Sequence, residues 1–389
     1  SGRSRTRRAT SRRRRRHRGP PTRGLPGPDL ALTCATDDGV VTPPTTLAAR
    51  RRALAALAAV LVLVTGLTAC GRTDRRSEGD GGGTEPPAAT TTGDVEATAA
   101  RADLAPPTDP AGTVSHGTLT VDGRERTYRL YVPARLPDGP APLFVALHGG
   151  TGWGDQFAAV NRVEGLAEAN GFVVVHPDGV KVAGGRGGVW NGGVCCAVAA
   201  REDVGDVAFL EALVDDLAGT HEFDPARTFA FGHSNGGIMS YRLACEASGT
   251  FVGVGAVAGT LGIDDCEPAE PVSVIHVHGT DDQNLPIAGG VGPQSVAGVD
   301  FPSPTAGFAT LADAAACPTA TEATDGDVTV AVRGPCDEGT AAEFVTIDGA
   351  EHPWPGATGV LTGPNSGEPY QGYDATAEVV GFLLAHPRG

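Results

Sequence analysis

Residues 229–246 read "FAFGHSNGGIMSYRLACE". An apolar run ends in Gly232-His233-Ser234-Asn235-Gly236, Gly237 follows, and an amphipathic run begins. Glycine is costly inside a strand or helix and is tolerated where the backbone turns sharply or packs closely. The stretch therefore predicts a strand, a tight turn carrying a serine, and a helix. That order is the context required of a nucleophile elbow. Such a turn lifts a hydroxyl above a sheet at a helix N-terminus, where free N–H groups and the helix field favour an anion. The pentapeptide alone is short and recurs by chance, so its weight comes from its surroundings.

Those surroundings alternate. "RTYRLYVP" (126–133) has period two and reads as a half-buried early strand. "PLFVALHG" (142–149), "FVVVHPDG" (172–179), "FVGVGAVAG" (251–259) and "VSVIHVHG" (272–279) are near-continuous apolar runs, as expected of strands covered on both faces. "FAAVNRVEGLAEANG" (157–171) reads as one helix with a Gly stop, and "DVAFLEALVDDLAGT" (206–220) as another. A last strand is expected at 342–349 and a final helix at about 374–385. Strand–helix alternation implies an α/β fold, a mostly parallel central sheet with helices on both faces. Ligands of such sheets gather at the carboxyl ends of the strands.

A serine hydroxyl needs a base, and the base needs an orienting carboxylate. At strand ends downstream, "HGTDDQNLP" offers Asp281 or Asp282 and "IDGAEHPWPG" offers His352. The chain order Ser, acid, His is the one this fold uses. His148, His176, His233, His276 and His278 lie in or beside strands and read as structural. His276 and His278 share one strand face and, with Asp281 and Asp282, offer a competing metal-site reading. The serine apparatus already uses the acid, so neither a metal nor a cofactor is expected.

Charge and leader segments place the protein. The first 70 residues hold 14 Arg against 3 acids, whereas the other 319 hold 16 basic and 43 acidic residues, a formal balance of −27. Such a domain disfavours nucleic acid and anionic membranes. Residues 1–49 are basic and apolar-poor and read as a disordered leader or an over-extended gene model. Arg50, Arg51 and Arg52 precede twelve apolar residues, Ala53 to Val64, and then Leu67-Thr68-Ala69-Cys70. Positive flank, short apolar run and small residues describe an export signal over 50–70. Leu-Thr-Ala-Cys resembles a bacterial lipobox, which makes Cys70 the candidate lipidation site and a lipid anchor the one membrane contact expected. An ordinary signal peptide is the alternative. Residues 71–110 read as a disordered Gly/Pro/Thr/acid-rich tether, and 111–389 as the catalytic domain.

Export also explains the cysteines. Cys195, Cys196, Cys245, Cys266, Cys317 and Cys336 make an even set without paired CxxC spacing, which reads as three disulfides. Cys317 and Cys336 flank an insert, "PTATEATDGDVTVAVRGP", with little core of its own. Closing a loop of about 20 residues stabilises by about 3 kcal/mol in chain-entropy terms. Cys245 and Cys266 both lie toward the bottom of the sheet and can meet. Cys195 and Cys196 are left on a glycine-rich loop, as a vicinal pair or as competitors for Cys245 and Cys266.

The chain resembles the secreted polyhydroxybutyrate depolymerase and feruloyl/acetylxylan esterase family of α/β-hydrolases. The matching pieces are "LHGG" (147–150), "WNGGVCC" (190–196), "GHSNGG" (232–237), "SYRLACE" (240–246), "HGTDDQNLP" (278–286) and "EHPWPG" (351–356). The resemblance spans roughly residues 113–386. It implies an exported serine esterase with Ser234 as nucleophile, His352 as base and Asp282, in register with Leu285-Pro286, as the acid. It also implies an oxyanion hole from the amides of Gly150 (or Thr151) and Asn235. Trp190 and Asn191, on the loop "GGRGGVWNGGVCC", and Trp354 are candidate substrate-binding residues; the alternative is that they anchor loops. The expected substrate is an ester, either a hydroxyalkanoate oligomer or a feruloyl or acetyl group on plant polysaccharide. A surface-anchored binding protein on a hydrolase fold is the rival of another class.

Overall fold

Leu143, Val145 and Leu147 enter one hydrophobic cluster and Phe144 and Ala146 another, so the strand that carries them is covered on both faces. The computed structural model describes residues 98–185, 187–358 and 367–389. The segments read as leader (1–49), export signal with Cys70 (50–70) and most of the tether (71–97) lie outside the described residues. Among the described residues no helix is long and apolar enough to cross a membrane.

The sheet is built on six parallel strands: β3 (Ala141–Leu147), β4 (Val173–Pro177), β7 (Phe223–His233), β8 (Gly253–Val257), β9 (Ser273–Gly279) and β12 (Ala342–Ile347). Their order is β4-β3-β7-β8-β9-β12. Antiparallel strands extend both edges. β1 (Thr113–Val121) and β2 (Arg124–Val132) lie beside β4, and β11 (Val328–Gly334) and β10 (Thr319–Asp325) beside β12. A two-residue ribbon, β5 (Val180–Lys181) with β6 (Gly188–Val189), stands apart from this sheet. Helices α4 (Asp206–Ala218), α5 (Asn235–Glu246) and α6 (Pro304–Ala314) pack their apolar sides into one cluster. Helices α1 (Gly154–Asn161), α2 (Val163–Asn170) and α7 (Ala375–Ala385) pack into the other, and short α3 (Ala197–Arg201) follows the β6 loop. This is the α/β-hydrolase fold.

Three local readings need correction. The helix expected over 157–171 is two helices, because Arg162 takes φ 51°. Asn161 Oδ1 accepts the Val163 N–H at 3.0 Å and the Asn161 carbonyl accepts the Thr376 hydroxyl at 2.8 Å. A short polar side chain thus offers the backbone an alternative to the next helical turn. The insert between Cys317 and Cys336 is a hairpin that adds two strands to the sheet.

The tether expected over 71–110 is docked at its C-terminal end. The amides of Ala102 and Thr108 donate to the carbonyls of Gly381 (2.9 Å) and Gly165 (3.1 Å), and Ala105 exchanges two hydrogen bonds with Asn170. Arg101 pairs with the buried Glu343 and with Glu378, and the Ala99 amide also donates to Glu343. A buried carboxylate requires such partners, so residues 98–110 act as a strap on the domain that begins before residue 111.

Candidate active site

β7 ends at His233, and Ser234 at φ 54° turns the chain into α5. A Cβ on Gly236 would overlap the Leu147 carbonyl, and one on Gly232 would overlap the Gly236 carbonyl, which explains both glycines. The Ser234 amide donates to the Val257 carbonyl at 2.8 Å and the Ser234 carbonyl accepts from Ile238 at 2.9 Å. Both peptide groups are held while the side chain stays partly exposed.

Ser234, His352 and Asp282 form one hydrogen-bonded chain. Ser234 Oγ lies 2.9 Å from His352 Nε2, and His352 Nδ1 lies 2.7 Å from Asp282 Oδ2. Asp282 is 3% exposed, and its Oδ1 accepts the amides of Asn284 (2.8 Å) and Leu285 (2.9 Å). Burial alone would raise this carboxyl, but His352, His278 and the Leu285 amide outweigh it and hold the group below the usual carboxylate range. Neighbouring Asp281 is exposed, and among the described residues only its amide is engaged, to the Ala350 carbonyl at 3.0 Å. The structure therefore brings Asp282, not Asp281, to the histidine. The loop of His352 is tied down by His233, whose Nε2 donates to the His352 carbonyl at 2.8 Å. Burial pushes His233 down to about 3, so its ring is neutral.

A Cβ on Gly150 would sit 3.7 Å from Asn235 Cβ, so the two candidate oxyanion donors are neighbours. Among the described residues neither amide meets an acceptor. The Thr151 amide is spent on the Gly188 carbonyl at 2.7 Å, which leaves Gly150 of the two alternatives.

Trp190, Asn191 and Trp354 do not line the site. Trp190 is 0% exposed, and its indole Nε1 donates to the His148 carbonyl at 2.9 Å. Asn191 is 2% exposed, and its side chain is consumed by Asp203, Val204 and Gly193. Trp354 is 1% exposed, donates to Thr376 Oγ1 at 3.0 Å and packs on Phe157 and Phe231. With their side-chain polar atoms partnered and almost no surface exposed, all three hold loops. The sequence reading passed over Trp153, which ends the Gly149–Gly152 turn beside Gly150 and is 40% exposed.

Cys245–Cys266 and Cys317–Cys336 are bonded as paired above, and Cys195 is bonded to Cys196 beside Ile238, Leu285 and Phe301. The rings of His276 and His278 are engaged with each other, with Tyr241 and with the Leu285 carbonyl. Among the described residues no group of three or more His, Cys, Asp or Glu is arranged to hold a metal.

A family model described as esterase PHB depolymerase matches residues 126–295, a span that takes in Ser234 and Asp282. NocK of Nocardia uniformis subsp. tsuyamanensis, an esterase by the name it carries, is 31% identical over 275 residues, 63% of this chain and 75% of that protein. Feruloyl esterase C of Emericella nidulans is 31% identical over 187 residues, 46% of this chain and 62% of its own length. Among solved structures, the acetyl xylan esterase from Aspergillus awamori aligns with 61% of this chain and 94% of its own at 16% identity and a TM-score of 0.45. On the family match and the extent of the likeness to NocK, the chain belongs to the esterase PHB depolymerase family.

Proposed function

We propose that the protein is an exported serine esterase that cleaves carboxylic esters through an acyl-enzyme. The observation that carries this reading is the unbroken chain from Ser234 Oγ through His352 to Asp282 at a strand–helix turn. Ser234 Oγ attacks the ester carbonyl carbon while His352 Nε2 takes the hydroxyl proton. Asp282 accepts from Nδ1–H, which fixes the tautomer and stabilises the imidazolium. The carbonyl oxygen, now an oxyanion, is met by the amides of Gly150 and Asn235, which are neighbours and meet no other acceptor among the described residues. Collapse expels the alcohol with the proton from His352. Water, activated by the same imidazole, then releases the acid and restores Ser234.

A hydroxyalkanoate oligomer is the substrate class favoured by the matched family, and a feruloyl or acetyl ester on polysaccharide is the second reading, favoured by the names of the relatives. Three disulfides support export, because such bonds persist in oxidising compartments. A fluorophosphonate probe followed by peptide mapping tests the mechanism. Labelling at Ser234, lost in Ser234→Ala together with ester hydrolysis, is expected. Labelling at another serine overturns the assignment, and a protein that resists the probe is a binding protein on this fold. Hydrolysis of p-nitrophenyl acyl esters, methyl ferulate, acetylxylan and hydroxybutyrate oligomers separates the substrate readings.

A further inference from the structure

Behind the site a line of polar groups runs through the core. Tyr241, on the helix that follows Ser234, places its hydroxyl 2.9 Å from His276 Nδ1. His276 Nε2 lies 3.0 Å from His278 Nδ1, and His278 Nε2 lies 2.8 Å from the Leu285 carbonyl and 3.5 Å from Asp282 Oδ2. Tyr241 and His276 are 0% exposed and His278 is 1% exposed. Alternation along β9 puts both histidines on one face, where their rings stack on each other and Phe344 stacks on His276.

The direction of this line is fixed by its end. A carbonyl oxygen only accepts, so His278 Nε2 carries a hydrogen. Burial keeps both rings neutral and the phenol protonated. A neutral ring has one N–H, so His278 Nδ1 is an acceptor and His276 Nε2 its donor. By the same count His276 Nδ1 accepts from Tyr241. Every donor then points toward the acid loop. Two ends meet at Asp282: the His278 N–H faces Oδ2, and Leu285, whose carbonyl His278 pins, donates its own amide to Oδ1.

We propose that Tyr241, His276 and His278 are positioning residues for Asp282, forming a one-way hydrogen-bond chain that ties the nucleophile's helix to the carboxylate beside His352. The proposal rests on the serine esterase reading for its consequence, not for its geometry. A chain of opposite direction would aim a ring lone pair at the Leu285 carbonyl and at Asp282 Oδ2, and both contacts would repel. The titratable groups facing Asp282 and His352 are His278 from β9, His233 from the end of β7, and each other; Ser234 and the Asn284 and Leu285 amides complete the shell.

The sign of the effect follows. Without the His278 N–H, the Asp282 carboxylate is less neutralised and binds the His352 proton more tightly. The acid limb of kcat/KM then moves to higher pH. For His278→Leu we expect a move of about half a pH unit or more, with kcat down about tenfold and KM within about twofold. Tyr241→Phe leaves His276 Nδ1 without its donor, which weakens the mutual polarisation of the chain without reversing it, and moves the limb in the same direction by less. His278→Gln, which keeps an N–H near the Nε2 position, returns the limb toward the parent. If both first variants lower the melting temperature and leave the limb in place, the chain is packing and the proposal fails. A 15N spectrum of the histidines in the parent protein tests the direction without any variant. Neutral Nε2–H tautomers at both His276 and His278 support it, and an Nδ1–H tautomer at either overturns it. That spectrum is read whether or not Ser234 takes the fluorophosphonate, so failure of the chain and failure of the esterase reading are separate results.

Discussion

The side chain of Asn235 and the backbone of Trp190 exchange two hydrogen bonds: Asn235 Oδ1 accepts the Trp190 amide at 2.8 Å, and Asn235 Nδ2 donates to the Trp190 carbonyl at 3.0 Å. The residue whose own amide is the proposed oxyanion donor is thereby clamped to the loop over residues 188–196. Asn235→Ala keeps that amide and removes the clamp. We expect kcat for p-nitrophenyl butyrate to fall about tenfold to a hundredfold, the range that a small misplacement of a catalytic group produces. An unchanged kcat would show that the turn geometry alone holds the donor.

Asp282→Asn and Asp281→Asn separate the two acids. The amide keeps the shape of Asp282 but loses the charge that stabilises the imidazolium and presents the wrong partner to Nδ1–H. A loss on the order of 1,000-fold to 10,000-fold in kcat is expected. Asp281 is exposed and engages nothing through its side chain near His352, so Asp281→Asn is expected to keep activity within about twofold. The reverse order, read from the same steady-state assay, would reassign the acid.

The parallel core was legible because its strands are apolar throughout, a pattern that only two-sided burial explains. The turn at Ser234 was legible because three glycines in six residues have no other use there. The clamps were not. Arg101 and Glu343 are 242 positions apart, and nothing local in either marks a partner. Trp190 and Trp354 sit in irregular loops, where no period tells an inward side chain from an outward one. The hairpins did carry a signal. Asp122-Gly123, at φ 51° and 75°, and Gly326-Asp327, with Gly326 at φ 59°, are two-residue loops between alternating runs. The strands β1, β10 and β11 follow from those dipeptides.

The strap predicts a truncation effect. Arg101 and the Ala99 amide serve Glu343, whose side chain is 0% exposed. A chain beginning at residue 111 leaves that carboxylate without them. Compared with one beginning at residue 98, it is expected to lose about 3 kcal/mol or more of stability, and Arg101→Ala should reproduce most of the loss. Equal urea midpoints for the two chains would show that the strap contributes nothing.

Arg126 and Asp206 form a second buried pair, 2.7 Å apart with side chains 4% and 0% exposed. Burial pushes the guanidinium down and the carboxyl up, and each offsets part of the other's cost. Asp206 Oδ2 also accepts the Asn191 amide at 2.7 Å, so the pair supports the loop that holds Trp190. Arg126→Met strands a buried charge and should cost about 3–5 kcal/mol. Arg126→Met combined with Asp206→Leu should cost less than the single change, because no charge is left unpaired. Additive losses in urea melts would refute the coupling.

Acid should unfold the domain early, and the sign can be worked from its histidines. Burial pushes His148 down to about 4 and His176 and His233 down to about 3, against an ordinary 6.5. Between 6.5 and those values the unfolded chain binds more protons than the folded one. Stability is therefore full above pH 6.5 and falls as pH drops, by about 1.4 kcal/mol per pH unit for each histidine. These three lose about 4 kcal/mol per unit, the buried His276 and His278 are shifted the same way and add to it, and the total is enough to unfold an ordinary domain by roughly pH 5. His176 isolates the effect. Both its ring nitrogens are buried without a hydrogen-bond partner among the described residues, and the ring packs edge-on against Phe157. Nothing polar is lost in His176→Leu, so the urea midpoint at pH 7 should hold or rise, and the loss of stability below pH 6.5 should shrink by about 1.4 kcal/mol per pH unit, that one ring's share. A midpoint that stays flat from pH 7 to pH 5 in the parent protein would show that these rings are charged in the fold.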